Sequence, residues 1–222
     1  MKKINFLPRA IIFDMDGVIV DSMPYHFLAW YEALRPWGIS VKCFDVYERE
    51  GERWDKTLKD LLSQAKIKPT PQVLKKIFTY RQKVFKKYFK RYIFKGVDRF
   101  LLCLKQKGYS LGLVTGTPTQ EIKAILPKKI LGLFDCVVAG DSVRQGKPNP
   151  APYLKALELL KLKSDQCLVV ENAPLGIRAA KAAGIFCLAL NTSLPAEYLQ
   201  EADLVVEKLE DIPGFIEKSC AR

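Results

Sequence analysis

The chain has 222 residues, 49% hydrophobic and 27% charged, which is typical of one α/β domain with or without an inserted domain. Its net charge of +12 has two explanations: an attraction for anionic partners, or the solvated lysine surface of a heat-adapted protein. We prefer the second explanation. The sequence contains no recognised nucleic-acid-binding module, so nucleic acid is not an expected partner. No apolar stretch is long enough to span a bilayer, no signal peptide is visible, and six cysteines without metal-ligand spacing exclude a zinc site and favour the cytoplasm.

The first predicted element is a buried strand over residues 10–13, an apolar run that stops abruptly at Asp14. Open parallel sheets bind ligands at the carboxyl ends of their strands, which is where Asp14 and Asp16 fall. Because side chains alternate along an extended segment, both carboxylates can project into one crevice. Two close carboxylates need a shared cation or a proton. The pattern predicts a magnesium site with a nucleophile and an acid/base; the alternative is a strand that ends in an acidic turn.

From Pro24 to about Ile93 the pattern is helical, rich in aromatic and basic residues, with few candidate strands. The spacing of apolar residues predicts helices over residues 24–34, 54–65 and 71–92. We interpret the apolar stripe of the longest helix as the core of a helical bundle rather than as a membrane-binding surface.

Beyond Gly96, helices and strands alternate. We predict helices over 97–107, 121–126, 151–160 and 175–183, and strands over 111–114, 136–139, 167–170, 186–190 and 204–206. This alternation is typical of βαβ units and a parallel sheet. The predicted fold class is therefore α/β, a Rossmann-like parallel sheet with an inserted all-helical domain. We place the core domain at residues 1–21 and 95–222 and the helical insertion at 22–94.

Two further strand ends carry groups suited to an anion. Thr115 offers a hydroxyl, and residues 117–120 have the form of a capping box with Pro118 at the first helical position, so that a helix amino terminus would face the anion. Lys147 precedes a helix that Asn149 can cap, and its ammonium suits a phosphate oxygen or balances carboxylates. Taken singly, a well-capped helix and a solvated loop lysine are the default interpretations.

The strand over residues 167–170 ends in Glu171 and Asn172, whose oxygens are the hard ligands that magnesium prefers. Each of these strand ends is weak evidence alone. Together they place acid, hydroxyl, ammonium and amide groups at one edge of the sheet, and coincidence explains that poorly.

Four segments resemble, in order and spacing, the motifs of haloacid dehalogenase superfamily phosphohydrolases, in the branch that contains β-phosphoglucomutase and small-metabolite phosphatases. They are residues 14–22, 114–117, 146–150 and 170–180. The helical insertion lies where that family has its cap domain, so the resemblance covers essentially the whole chain.

The resemblance implies the catalytic roles. Asp14 would attack phosphorus to give an aspartyl-phosphate, and Asp16 would protonate the leaving oxygen and then activate water. Thr115, with the adjacent Gly116, and Lys147 would hold the transferring phosphoryl group. These roles agree with the needs of phosphoryl transfer, which are mainly positioning and neutralised charge.

The resemblance also implies a Mg²⁺ site formed by the Asp14 carboxylate, the Asp16 backbone carbonyl and the pair Glu171 and Asn172. The family usually has Asp at the position of Asn172, so the site loses one negative charge. We expect weaker metal binding as a result, with Glu171 compensating.

Gly51 and Arg53 lie in a loop of the predicted helical insertion, and both residues are expected to contact substrate. In related mutases an arginine grips a second phosphate, and here Trp54 takes that place, with Arg53 adjacent. His26, the sole histidine, stands where the mutase has a histidine. We expect it to orient Asp16 or the linker, with structural packing as the alternative.

We therefore predict a magnesium-dependent phosphatase, monomeric and cytoplasmic, that acts on a small phosphorylated metabolite. A mutase of the β-phosphoglucomutase type is the first alternative. A non-catalytic phosphate- or nucleic-acid-binding protein is the second, motivated by Asn172 and the basic cap helix.

Overall fold

Six parallel strands form the centre of the protein in the computed structural model, which describes residues 6–212. The strands are β1 (Ala10–Phe13), β2 (Ser110–Val114), β3 (Cys136–Val138), β4 (Cys167–Glu171), β5 (Phe186–Leu190) and β6 (Leu204–Val206). Their order in the sheet is β3-β2-β1-β4-β5-β6. The predicted α/β class with a parallel sheet is confirmed.

Strand β1 is buried along its whole length because both faces of the sheet are covered. Ile11 and Phe13 pack into one hydrophobic cluster, and Ala10 and Ile12 pack into the cluster on the opposite face. With β2 on one side and β4 on the other, the carboxyl ends of these three strands lie next to one another.

Nine α-helices are formed within residues 6–212. They are α1 (Met23–Leu34), α2 (Cys43–Tyr47), α3 (Trp54–Gln64), α4 (Pro71–Tyr88), α5 (Val97–Gln106), α6 (Thr119–Ile125), α7 (Lys128–Leu131), α8 (Ala151–Leu160) and α9 (Pro174–Ala182). The two shortest, α2 and α7, were not predicted, because a single turn carries too little periodicity to be recognised. None of these helices is both long and apolar enough to cross a membrane.

Along the chain, helices α1 to α4 all come between β1 and β2, and they enclose a hydrophobic cluster of their own. Leu34, Leu58 and Leu62 are completely buried in it. At the carboxyl end of α4, Val84 and Phe85 pack instead into a cluster shared with the sheet. The helical insertion therefore has its own hydrophobic core, and the carboxyl end of α4 packs against the sheet. The bounds of the two domains stay a prediction.

Helix α4 ends at Tyr88, four residues before its predicted end. The chain becomes extended at Phe89, and the following residues pair with the segment that leaves β1. The Asp21 N–H donates to the Tyr92 carbonyl at 2.9 Å, and Ile93 forms an antiparallel bridge with Val20. Pairing between the two connections to the insertion thus overrides the helical period of the sequence.

Candidate active site

One buried lysine joins the carboxyl ends of three strands. Lys147, in the loop before α8, is 2% exposed. Its Nζ donates to Asp14 Oδ1 at 2.5 Å, to Glu171 Oε1 at 2.6 Å and to the Val114 carbonyl at 3.2 Å. Burial alone would lower the pKa of Lys147, but the carboxylates of Asp14 and Glu171 raise it well above its ordinary value. The ammonium is therefore a fixed positive charge among these strand ends.

One carboxylate oxygen of Asp14 accepts a hydrogen bond from Lys147, and the other, here called open, has no hydrogen-bond partner among the described residues. Its Oδ1 accepts from Lys147, whereas Oδ2 is buried and accepts no hydrogen bond from any residue within 6–212. Burial raises the pKa of Asp14, and the nearby carboxylates of Glu171 and Asp16 raise it further, although the Lys147 ammonium opposes them. A positioned carboxylate with an open oxygen is what a nucleophile or a cation ligand requires.

Asp16 accepts hydrogen bonds from four side chains. Its Oδ1 accepts from Ser22 Oγ at 2.5 Å and His26 Nε2 at 3.1 Å, and its Oδ2 accepts from Thr115 Oγ1 at 3.2 Å and Thr117 Oγ1 at 2.9 Å. Burial raises the pKa of Asp16, but the hydrogen bonds that it accepts from His26, Ser22 and Thr117 lower it below its ordinary value. In this arrangement Asp16 is a carboxylate.

The predicted capping box at Thr117 is wrong. Helix α6 begins at Thr119, with Pro118 at the N-cap position and no side-chain cap. The Thr117 hydroxyl lies outside the helix and donates to the buried Asp16 carboxylate. Thr117 and Ser22 were not predicted as site residues, although both fall inside the segments that carry the family motifs.

His26 is held between Asp16 and helix α4. Arg81 Nη2 lies 2.5 Å from His26 Nδ1. A guanidinium can only donate, so Nδ1 is the acceptor and the ring proton lies on Nε2, facing Asp16. Arg81 is 6% exposed and also reaches Glu121 Oε2 on α6 at 3.3 Å. Arg81 was missed because nothing in the basic stripe of α4 distinguishes it from its neighbours.

Both oxygens of Glu171 already have partners. Oε1 accepts from Lys147 and from the Tyr153 hydroxyl, each at 2.6 Å, and Oε2 accepts from the Asn172 N–H at 3.0 Å. Glu171 is thus the second counter-ion of Lys147 and fixes the backbone that carries Asn172.

The residues fit a hard cation. Asn172 Nδ2 donates to Glu50 Oε2 at 2.8 Å and to Ser193 Oγ at 2.9 Å. Asn172 Oδ1 and Asp14 Oδ2 are both buried and have no hydrogen-bond partner among the described residues. Residues 6–212 contain no cluster of three or more His, Cys, Asp or Glu placed to hold a metal. Mg²⁺ commonly takes only one or two carboxylates and keeps several waters, so it does not require such a cluster.

The loop of residues 48–53, here called the cap loop, helps to close a cavity over these groups. The cavity has a volume of about 80 Å³, and its lining includes two tryptophans, Trp30 and Trp54, and two arginines, Arg49 and Arg81. Pockets for whole small molecules usually exceed about 300 Å³. As it stands, the cavity is therefore smaller than a site for a whole metabolite.

The cap loop lies directly against the core at two glycines. A Cβ atom on Gly116 would lie 2.8 Å from the Gly51 carbonyl oxygen, and one on Gly51 would lie 2.5 Å from Lys147 Cδ. A side chain at either position would push the loop away from the strand ends. Both glycines line the cavity.

Arg53 is not brought to the cavity, in contrast to the prediction. Its guanidinium donates to the Val143 carbonyl at 2.8 Å and pairs with Asp55 at 3.1 Å, in a separate surface depression. These contacts join the cap loop to the loop before α8. Arg49, four residues earlier, lines the cavity instead.

Comparison with known proteins gives concordant results. A family model described as haloacid dehalogenase-like hydrolase matches residues 8–184. The chain is 35% identical over 185 residues to the "Phosphorylated carbohydrates phosphatase" of Thermotoga maritima, covering 80% of this chain and 82% of the relative. It is 29% identical to the "Beta-phosphoglucomutase" of Bacillus subtilis, covering 92% and 91%. The fold matches the crystal structure of β-phosphoglucomutase from Clostridium difficile with a TM-score of 0.80 at 23% identity, covering 97% and 100%.

Proposed function

Because the chain belongs to the haloacid dehalogenase-like hydrolase family, we propose that it hydrolyses a small phosphorylated metabolite through an aspartyl-phosphate on Asp14. That it is a phosphoric monoester hydrolase follows from the family and from its phosphatase relatives. The observation that carries the finer proposal is the open Oδ2 of Asp14, on a carboxylate that Lys147 fixes beside the cavity.

In the first step an Asp14 oxygen attacks phosphorus, the bond to the ester oxygen breaks, and the leaving oxygen takes a proton from Asp16. Asp16 therefore has to gain a proton when substrate binds, and the negative phosphoryl group beside it favours this by raising its pKa. In the second step the Asp16 carboxylate takes a proton from water, which attacks phosphorus and releases inorganic phosphate and Asp14.

The other predicted residues position the phosphoryl group. Lys147 neutralises part of its charge and keeps Asp14 in register. The Gly116 backbone would hold one phosphoryl oxygen, the Thr115 hydroxyl would turn from Asp16 to another, and His26 keeps Asp16 oriented through its Nε2–H. Positioning and charge neutralisation of this kind supply most of the catalysis in phosphoryl transfer.

Mg²⁺ would be held by the Asp14 carboxylate, Asn172 Oδ1 and the Asp16 backbone carbonyl, and it would neutralise charge on the phosphoryl oxygens. Glu171 would act on this site indirectly, because both its oxygens are engaged. An amide at residue 172 contributes less negative charge than a carboxylate, so weaker binding than in relatives with Asp is expected.

Phosphorylated sugars are the substrate class that we favour. The Thermotoga maritima relative is named for phosphorylated carbohydrates, and Trp54 offers the cavity an aromatic surface for the apolar face of a sugar. We also propose that residues 22–94 open as a cap over the core of residues 1–21 and 95–222, in a monomeric cytoplasmic enzyme. A mutase is the second candidate, because the Bacillus subtilis relative is a β-phosphoglucomutase and Arg49 and Arg81 could pair with a second phosphate.

The test is a panel of sugar phosphates incubated with the purified protein and Mg²⁺, with free phosphate as the readout. Hydrolysis that is lost in Asp14→Asn and after chelation supports the proposal. Equal rates for wild type and Asp14→Asn would refute it. With β-glucose 1-phosphate, stoichiometric glucose 6-phosphate without free phosphate would assign the mutase instead.

A further inference from the structure

The buried charges of the protein do not balance. Residues 6–212 bury four carboxylates, Asp14, Asp16, Glu50 and Glu171, but only two cationic side chains, Lys147 and Arg81. An unpaired buried carboxylate is costly, since burial disfavours the charged form. A divalent cation would reduce this excess of buried negative charge.

Glu50 forms no ion pair with a lysine or arginine within residues 6–212, whereas Asp16 is stabilised by four hydrogen bonds. Lys147 pairs with Asp14 and Glu171, and Arg81 pairs with Glu121. Glu50 is 8% exposed and lines the cavity, and its carboxylate accepts a hydrogen bond from Asn172 Nδ2 to Oε2 at 2.8 Å. Its Oε1 is buried without a partner there.

Three buried oxygens at this end of the sheet lack a hydrogen-bond partner within residues 6–212. They belong to Asp14, Asn172 and Glu50. Two come from strand ends of the core, whereas Glu50 comes from the cap loop. Because Asn172 donates through Nδ2 to Glu50, its oxygen is left free for another partner.

We propose that Glu50 supplies, from the cap loop, the carboxylate that the cation site lacks at Asn172. The proposal rests on the metal site of the proposed function and adds to it a residue outside the family motifs. It follows that cation binding and closure of the cap loop assist each other, because the full negative charge is assembled only when the loop lies on the core.

The position of Glu50 makes this role specific. The adjacent Gly51 has its backbone against Gly116 and Lys147, so the loop cannot shift without moving Glu50 from the strand ends. Glu48, two residues earlier on the same loop, does not line the cavity but lies in a separate surface depression. Glu48→Gln is therefore a control of equal charge change outside the site.

The experiment measures Mn²⁺ binding to the full chain by isothermal titration calorimetry, with no substrate present. We expect Glu50→Gln to weaken binding about 10-fold to 100-fold and Glu48→Gln to change it less than about 2-fold. Asn172→Asp in the Glu50→Gln background should restore affinity to near that of wild type, because it returns the missing charge to the core. Asn172→Asp alone should bind Mn²⁺ more tightly than wild type, a readout that holds if Glu50→Gln folds poorly.

Equal affinities for Glu50→Gln and Glu48→Gln, or no rescue by Asn172→Asp, would overturn the role of Glu50. A wild-type protein that binds no Mn²⁺ would overturn this inference together with the metal site. A protein that binds Mn²⁺ through Glu50 but hydrolyses no phosphate ester would uphold the inference and refute the proposed function.

Discussion

Arg81 determines which nitrogen of His26 carries the proton. With the guanidinium 2.5 Å from Nδ1, the proton lies on Nε2, where it is donated to Asp16. His26 is the only histidine of the chain, so its imidazole signals are unambiguous in ¹H–¹⁵N NMR. We expect the Nε2–H tautomer in wild type, and in Arg81→Gln a tautomer mixture with kcat reduced about 10-fold as Asp16 loses orientation.

Lys83→Gln is the control for this prediction, since Lys83 is exposed on the same helix. It should leave both the spectrum and kcat unchanged. An Arg81→Gln protein with the wild-type imidazole spectrum would show that Arg81 does not set the tautomer.

Lys147 should be the most stability-critical cation of the protein. Replacing it by Met leaves the carboxylates of Asp14 and Glu171 buried without their counter-ion, which costs about 3–5 kcal/mol. The exposed ion pair of Lys155 with Glu158 is worth less than about 1 kcal/mol, so Lys155→Met is the matched control. Urea unfolding of both variants measures the difference, and similar midpoints would contradict the prediction.

Asp16 should make stability depend on acid pH. The hydrogen bonds that Asp16 accepts hold its pKa in the folded protein below the ordinary value of 3.8, so the folded state binds its proton less readily than the unfolded state. The resulting stabilisation is present above about pH 4 and is lost as the pH falls through the lowered pKa. Asp16→Asn should remove this part of the acid unfolding slope, measured by urea unfolding at successive pH values.

Asp98→Asn, on helix α5, is the control, because this variant keeps Asp16. Its stability should fall in acid with the same slope as that of wild type. If Asp16→Asn unfolds in acid with the same slope as wild type, the hydrogen bonds to Asp16 do not stabilise its charged form.

Gly51 should be needed for two separable reasons. Gly51 and Gly38 both have left-handed backbones, with φ of 79° and 70°, so replacement by Ala strains either by about 1–2 kcal/mol. Only at Gly51 would the new Cβ meet Lys147, whereas at Gly38 it has open space. We expect similar losses of stability but a fall in kcat/KM of about 100-fold for Gly51→Ala alone. Equal activity of the two variants would show that the contact with Lys147 does not matter.

The sheet was predictable because buried parallel strands are short apolar runs that end abruptly. Strands β1, β5 and β6 begin and end where the sequence pattern places them. The contacts among Asp14, Lys147 and Glu171 follow from the same logic, since parallel strands present their carboxyl ends at one edge.

What could not be predicted comes from the helical insertion. Arg81, Glu50 and Arg49 reach the cavity because of how α4 and the cap loop sit on the sheet, and no local periodicity encodes that placement. Arg53 was favoured over Arg49 by alignment alone, but its side chain turns to the Val143 carbonyl. Thr117 was assigned to a helix cap because the pattern of its neighbours does not reveal the buried acceptor at Asp16.

The contact of Gly51 with Gly116 has a consequence for how this enzyme could diversify. This contact is made by backbone atoms, so no side-chain substitution can tune it without moving the chain. The distance between the cap loop and the carboxyl ends of the strands is therefore set by the fold itself. Changes in substrate preference should therefore accumulate at side chains that line the cavity, such as those of Trp54 and Arg49.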